Sequence, residues 1–117
     1  IPSGELTMLL TLRHLLLAKE FVIPSDIGDA MKLSRPAVSR MLHNLERKGY
    51  LEMKSSEEDH RYVKVQFTQT GKELIIEEFE KCCKLLERVK ERMGEKDMYK
   101  FLYYYSQFCT ILVDEIF

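Results

Sequence analysis

The sequence predicts a mostly α-helical chain that carries one small β-hairpin and closes with two long helices. Three observations predict it. Val38, Met41, Leu42 and Leu45 recur at i, i+3, i+4 and i+7, which lines one face of a helix. From Leu51 to Phe67 the apolar period drops to two: Leu51 and Met53, then Val63, Val65 and Phe67, alternate with polar or charged residues. Beyond the hairpin the apolar residues return at steps of three and four, as Ile75, Phe79, Cys82, Leu86, Val89 and Met93, and again as Met98, Leu102, Tyr105, Cys109, Leu112 and Ile116.

Each element has local support. Ser3 to about Lys19 is leucine-rich at near-helical spacing (Leu6, Leu9, Leu10, Leu16, Leu17), with Ser3 as the expected N-cap. Pro24 opens a short helix that ends near Met31, because a proline in the first turn has no hydrogen bond to lose. In "LSRPAVSRMLHNLERKGYL" Ser34 caps the next helix, Pro36 lies in its first turn and Gly49 ends it. Two strands follow, joined by the polar loop "SSEEDH". A long helix starts near Thr68 or Thr70, where Thr70 and Glu73 resemble a capping box, and Gly94 breaks it. The last helix, about Asp97 to Phe117, bears a second apolar stripe at Phe101, Tyr104, Phe108 and Ile111. A helix with two apolar faces needs two partners, the preceding helix and a second chain being the candidates.

Composition narrows the function. At 117 residues the chain suits one domain, or a domain with an appended helical element, and needs no staples to hold a core. The net charge of −1 does not advertise nucleic-acid binding. Its distribution does: Lys32 to Lys64 holds eight Lys or Arg against five Asp or Glu, so the middle is basic and the flanks are acidic. No apolar run is long enough to span a membrane, and no signal-peptide pattern is present. Cys82, Cys83 and Cys109 form no disulfide framework and are expected as buried structural thiols in a reducing cytoplasm. His14, His43 and His60 show no metal-ligand spacing, so neither metal nor cofactor is expected. No nucleophile–base pair, phosphate loop or carboxylate constellation appears, which argues against an enzyme.

The surface left by the 38/41/42/45 stripe is the informative one. Packing that stripe turns Arg35, Pro36, Ala37, Ser39, Arg40 and His43 outward. Arginine can grip guanine through two hydrogen bonds, and Pro36 or Ala37 can meet a thymine methyl. The positive end of the helix favours a phosphate near Ser34.

This order of elements resembles the winged helix-turn-helix of the MarR family of bacterial transcriptional regulators. "LSRPAVSRMLHNLERKGYL" is similar to the family's recognition helix and following turn. "SSEEDHRYVKVQFTQTGKEL" is similar to its wing, with a D-x-R element and an "LT-x-x-G" helix start. The resemblance implies an α+β winged helix-turn-helix lobe over residues 1–70, with the recognition helix at 34–48 and the wing at 50–67. Residues 71–117 become a helical dimerisation region, and the family's first helix is not seen. It further implies a cytoplasmic, ligand-responsive homodimeric repressor on a pseudo-palindromic double-stranded DNA operator. Ser34, Arg35, Pro36, Ala37, Ser39, Arg40 and His43 would enter the major groove, with Arg47, Lys54 and Lys64 on phosphates. The wing residues Asp59, His60 and Arg61 would reach the minor groove, Asp59 bracing Arg61. A small aromatic or phenolic effector would sit at His14, Tyr99 and Tyr103. Glu57 and Glu58 beside the wing arginine depart from the more basic wings of the family, and they motivate a rival reading in which the lobe binds protein, or is a ligand sensor that no longer uses DNA.

Overall fold

The structure, a computed structural model, describes residues 1–55 and 62–117. Five helices and one antiparallel strand pair follow in the order α1 (Ser3–Ala18), α2 (Pro24–Met31), α3 (Arg35–Arg47), β1 (Leu51–Ser55), β2 (Val63–Phe67), α4 (Gln69–Met93) and α5 (Glu95–Ile116). The chain divides into two compact units, Ile1–Glu77 and Glu78–Phe117.

The first unit is built around one apolar core. Met8, Leu9 and Leu12 of α1, Ile27 of α2, and Val38, Leu42 and Leu45 of α3 meet Val22, Leu51, Val65 and Ile75. The stripe expected on α3 is there, with Met41 half-buried at its edge. The hairpin pairs Leu51 with Phe67, Met53 with Val65 and Ser55 with Val63, so the apolar set shares one face. The Val65 N–H donates to the Val22 carbonyl at 2.8 Å, tying the other edge of β2 to the segment before α2.

The register of α1 differs from the sequence expectation. Its inner face is Glu5, Met8, Leu9 and Leu12, while Leu10 and Leu17 are exposed. Leucines stand almost all round this helix, so spacing alone does not choose a face. Ser3 does not cap α1; Pro2 occupies the cap position and no side chain closes it. At the start of α4 the cap is Thr68 rather than Thr70: its hydroxyl accepts from the Gly71 N–H at 3.0 Å and donates to the Gly49 carbonyl at 2.5 Å.

The turn between α2 and α3 sets the angle of the two helices. Lys32 takes the left-handed conformation (φ 55), and the Leu33 N–H returns to the Gly28 carbonyl at 3.0 Å. At the other end of α2, the Asp26 carboxylate accepts from the Ile23 N–H at 3.0 Å and pairs with Lys19 at 2.8 Å. Burial pushes this carboxyl's pKa up, but the Lys19 hydrogen bond, the Ile23 N–H and the Lys19 charge together hold it below the ordinary carboxylate value. A pKa lowered by folding gives stability that is present above the unfolded value, about 3.9, and lost as pH falls through the lower folded one. Urea titrations of wild type and Asp26→Asn should therefore differ by a constant amount above about pH 5 and converge below about pH 4. Lys19 is 49% exposed, so the difference should stay under about 1 kcal/mol.

The second unit carries its apolar side chains outward. No residue of α5 is buried, and Phe101, Leu102, Tyr104, Tyr105, Phe108, Ile111 and Leu112 are exposed. Neither stripe of α5 is therefore fully covered within the chain: in the first, Met98 and Cys109 are half-buried, and in the second Phe101, Tyr104, Phe108 and Ile111 are exposed. Phe101 stacks on Tyr105 with ring centres 6.1 Å apart. Cys82 and Cys83 are exposed and Cys109 is half-buried, which corrects the expectation of buried thiols: the helix faces that would bury them have no cover in a single chain. The final helix begins at Glu95, two residues before the expected start, because Gly94 (φ 89) acts as its N-cap directly after α4 ends.

Candidate nucleic-acid interface

The probe-shaped part of the first unit is α3. Ser34 caps it, its hydroxyl accepting from the Ala37 N–H at 3.3 Å, and Pro36 sits in the first turn. Val38, Leu42 and Leu45 are buried in the core. Around the helix from them, Ser34, Arg35, Pro36, Ser39, Arg40 and His43 are exposed, and Ala37 is half-buried. One rigid surface thus gathers all seven side chains read from the sequence as groove-facing.

Their polar groups are not equally free. Among the described residues, Arg35 and Arg40 have no hydrogen-bond or ion-pair partner. Arg35 also stands in the first turn, where the helix dipole disfavours a cation by about 0.3–1 kcal/mol. It borders a cleft of about 580 Å³ that is lined also by Pro24, Asp29, Val38 and Tyr62. A cation placed against the local dipole, without a partner, serves no evident folding purpose. His43 is committed on one side, its Nδ1 lying 2.8 Å from the Ser39 carbonyl oxygen.

Of the three residues assigned to phosphates, Lys54 and Lys64 are cross-strand partners on the hairpin, while Arg47 lies on α3. Arg47, in the last turn of α3, donates to the Asn44 side chain at 2.9 Å. Lys54 on β1 faces Lys64 across the hairpin, and Lys54 is paired with Glu52 at 3.4 Å. The Lys64 ammonium sits 4.7 Å from the centre of the Phe21 ring, a cation–π contact on a half-buried side chain. Asp59, His60 and Arg61, like Glu57 and Glu58, lie outside the described residues.

Sequence reasoning missed the braces that fix the far end of α3. Glu5 is 8% exposed, and its Oε2 receives the Lys48 ammonium at 2.7 Å, joining the first turn of α1 to the residue that ends α3. The Glu46 carboxylate accepts from the Met53 N–H at 3.0 Å, joining α3 to β1. A signal for the first brace was present: Glu5 shares the i, i+3, i+4, i+7 register of Met8, Leu9 and Leu12, and an acid in an apolar stripe needs a partner.

The effector residues divide between the units. His14 is exposed on α1, and Tyr99 and Tyr103 are exposed on α5. Within the first unit an apolar hollow of about 340 Å³ is lined instead by Arg13, Leu16, Leu17, Phe67, Lys72, Ile75 and Ile76. Among the described residues, no cluster of His, Cys, Asp or Glu could hold a metal ion, and no helix is long and apolar enough to cross a membrane.

A family model described as "MarR family" matches residues 6–61. No curated protein sequence matches. Solved structures do: a mutant of MepR from S. aureus superposes with a TM-score of 0.83 at 20% identity, over 96% of this chain and 80% of that one. YusO from Bacillus subtilis gives a TM-score of 0.80 at 18% identity, over 94% and 75% of the two chains. FabT from Streptococcus pneumoniae, solved in complex with DNA, gives 0.71 at 23% identity, over 97% and 77%. At these identities the likeness is one of fold, and it runs through the helix-turn-helix, the hairpin and both long helices. Residues 6–61, which hold the helix-turn-helix and β1, match the MarR family, and the whole chain shares the winged-helix fold of these solved regulators.

Proposed function

We propose that the chain is a cytoplasmic homodimeric repressor that binds a pseudo-palindromic double-stranded operator through α3. The observation that carries this reading is the outward face of α3, with Arg35 and Arg40 unpartnered among the described residues on a helix whose inner stripe is locked in the core. Such a helix can enter a major groove without rearranging. Two of them, one per protomer, would meet successive grooves about one helical turn apart. The exposed apolar faces of α4 and α5 support a second copy as their cover. The capture of DNA by a relative of the same fold supports the ligand class.

Arg47, Lys54 and Lys64 would neutralise phosphates, and Asp59, His60 and Arg61 would form the wing's minor-groove contact. A small aromatic or phenolic effector at His14, Tyr99 and Tyr103 would favour a dimer whose helices no longer match the groove spacing. The test is a titration of the chain's own promoter fragment against salt. With three phosphate cations on each of two protomers, log K against log salt should fall with a slope of about −5. A near-flat slope, or no sequence-dependent complex at low salt, would overturn the reading and favour a protein-binding lobe. Light scattering at micromolar concentration checks the dimer, and a monomer there would sink the two-half-site arrangement.

A further inference from the structure

His43 stands one helical turn beyond Ser39 on the exposed face of α3, next to Arg40. Its Nδ1 lies 2.8 Å from the Ser39 carbonyl oxygen. A carbonyl oxygen has no proton to give, so the ring nitrogen must be the donor in this bond. In the neutral ring the single proton is then on Nδ1, and Nε2 is left as a bare acceptor at the outer end of the side chain. The helix backbone therefore selects the tautomer before any ligand arrives.

An outward acceptor has a definite meaning in a major groove. The hydrogen-bond donors on base edges there are the exocyclic amino groups, N6 of adenine and N4 of cytosine, whereas guanine presents O6 and N7 and thymine presents O4, all acceptors. We infer that His43 is a specificity-determining residue that selects an amino base, adenine or cytosine, over a keto base at one position of the bound sequence, by accepting through Nε2. Its neighbour Arg40, which can only donate, has the opposite polarity and is suited to guanine. The face thus carries a donor and an acceptor one turn apart in reach, and a base step offering a keto group to one and an amino group to the other satisfies both.

The inference rests on α3 being the DNA-reading helix, and the experiment separates the two. Binding sites are selected from a randomised duplex library at pH 8.5 with the full chain as wild type, His43→Ala and His43→Lys. Wild type should favour amino over keto bases at one position by roughly three- to tenfold, the range of a single neutral hydrogen bond. His43→Ala should flatten that position alone, and His43→Lys, which replaces the acceptor with a donor, should invert it toward guanine or thymine. An unchanged consensus in both variants, a keto preference in wild type, or uniform weakening at every position in His43→Ala overturns the inference and leaves the DNA-reading helix standing. Failure of wild type to select any consensus overturns the reading of α3 itself. Two-bond ¹⁵N–¹H spectra of the free protein test the tautomer without DNA, and a ring protonated mainly on Nε2 would also overturn the inference.

Discussion

Replacing Gly71 with alanine should lower the stability of the first unit by about 3 kcal/mol or more, the upper range for a steric insertion that neighbouring side chains cannot absorb. A methyl carbon on Gly71 would fall 1.8 Å from the Tyr50 carbonyl oxygen and 2.8 Å from its carbon. Both are backbone atoms, so no rotamer change relieves the clash. The first turn of α4 would have to withdraw from the turn after α3. That movement would stretch the Thr68 N–H bond to the Tyr50 carbonyl, now 3.2 Å, and the Thr68 hydroxyl bond to Gly49. The direction is diagnostic because propensity argues the other way: Gly71 lies inside α4, where alanine is intrinsically better than glycine by about 1 kcal/mol. Gly49 makes the control. It has φ 85 and nothing within 4 Å of an added methyl carbon, so Gly49→Ala should cost only about 1 kcal/mol of backbone strain. Chemical denaturation of the three proteins decides the matter. A Gly71→Ala variant as stable as wild type would mean that α4 does not approach Tyr50 this closely.

The same junction explains what could be read from the sequence and what could not. The α3 stripe and the hairpin were legible because each has one buried face, and its period therefore appears directly in the residues. The start of α4 was legible only to within a turn. Thr68 and Thr70 are both plausible caps, and the choice between them depends on Gly49 and Tyr50, about twenty residues away. In α1 the leucine-rich surface hid the true face, and Glu5 could not be recognised as a brace until Lys48 was placed beside it. The faces of α4 and α5 were legible as apolar stripes, yet the sequence could not say whether one chain covers them. Within the candidate interface, exposure on α3 followed from periodicity. The hydrogen bond that fixes the His43 tautomer did not, since it depends on a side-chain rotamer.

Arg40→Ala should weaken binding to the preferred duplex by about 5- to 150-fold, the equivalent of about 1–3 kcal/mol for one arginine–guanine contact. Arg40 is exposed, partnerless among the described residues and on the outward face of α3 beside His43. Nothing in the fold leans on it, so thermal stability should stay within about 0.5 kcal/mol of wild type. The loss should be concentrated at one base pair, with random duplex bound almost as before. Arg40→Lys should recover little, because an ammonium cannot reproduce the planar two-pronged donor that matches guanine O6 and N7. These outcomes distinguish base reading from backbone anchoring. If Arg40 only touches a phosphate, the substitution weakens every sequence equally, lysine rescues it, and the salt slope becomes shallower by about one unit for each phosphate no longer neutralised. Competition titrations with single-base variants of a selected site, at two salt concentrations, separate these cases. Equal weakening across all variants would move Arg40 from the reading face to the phosphate cations and leave Arg35 and His43 as the remaining candidates for direct readout.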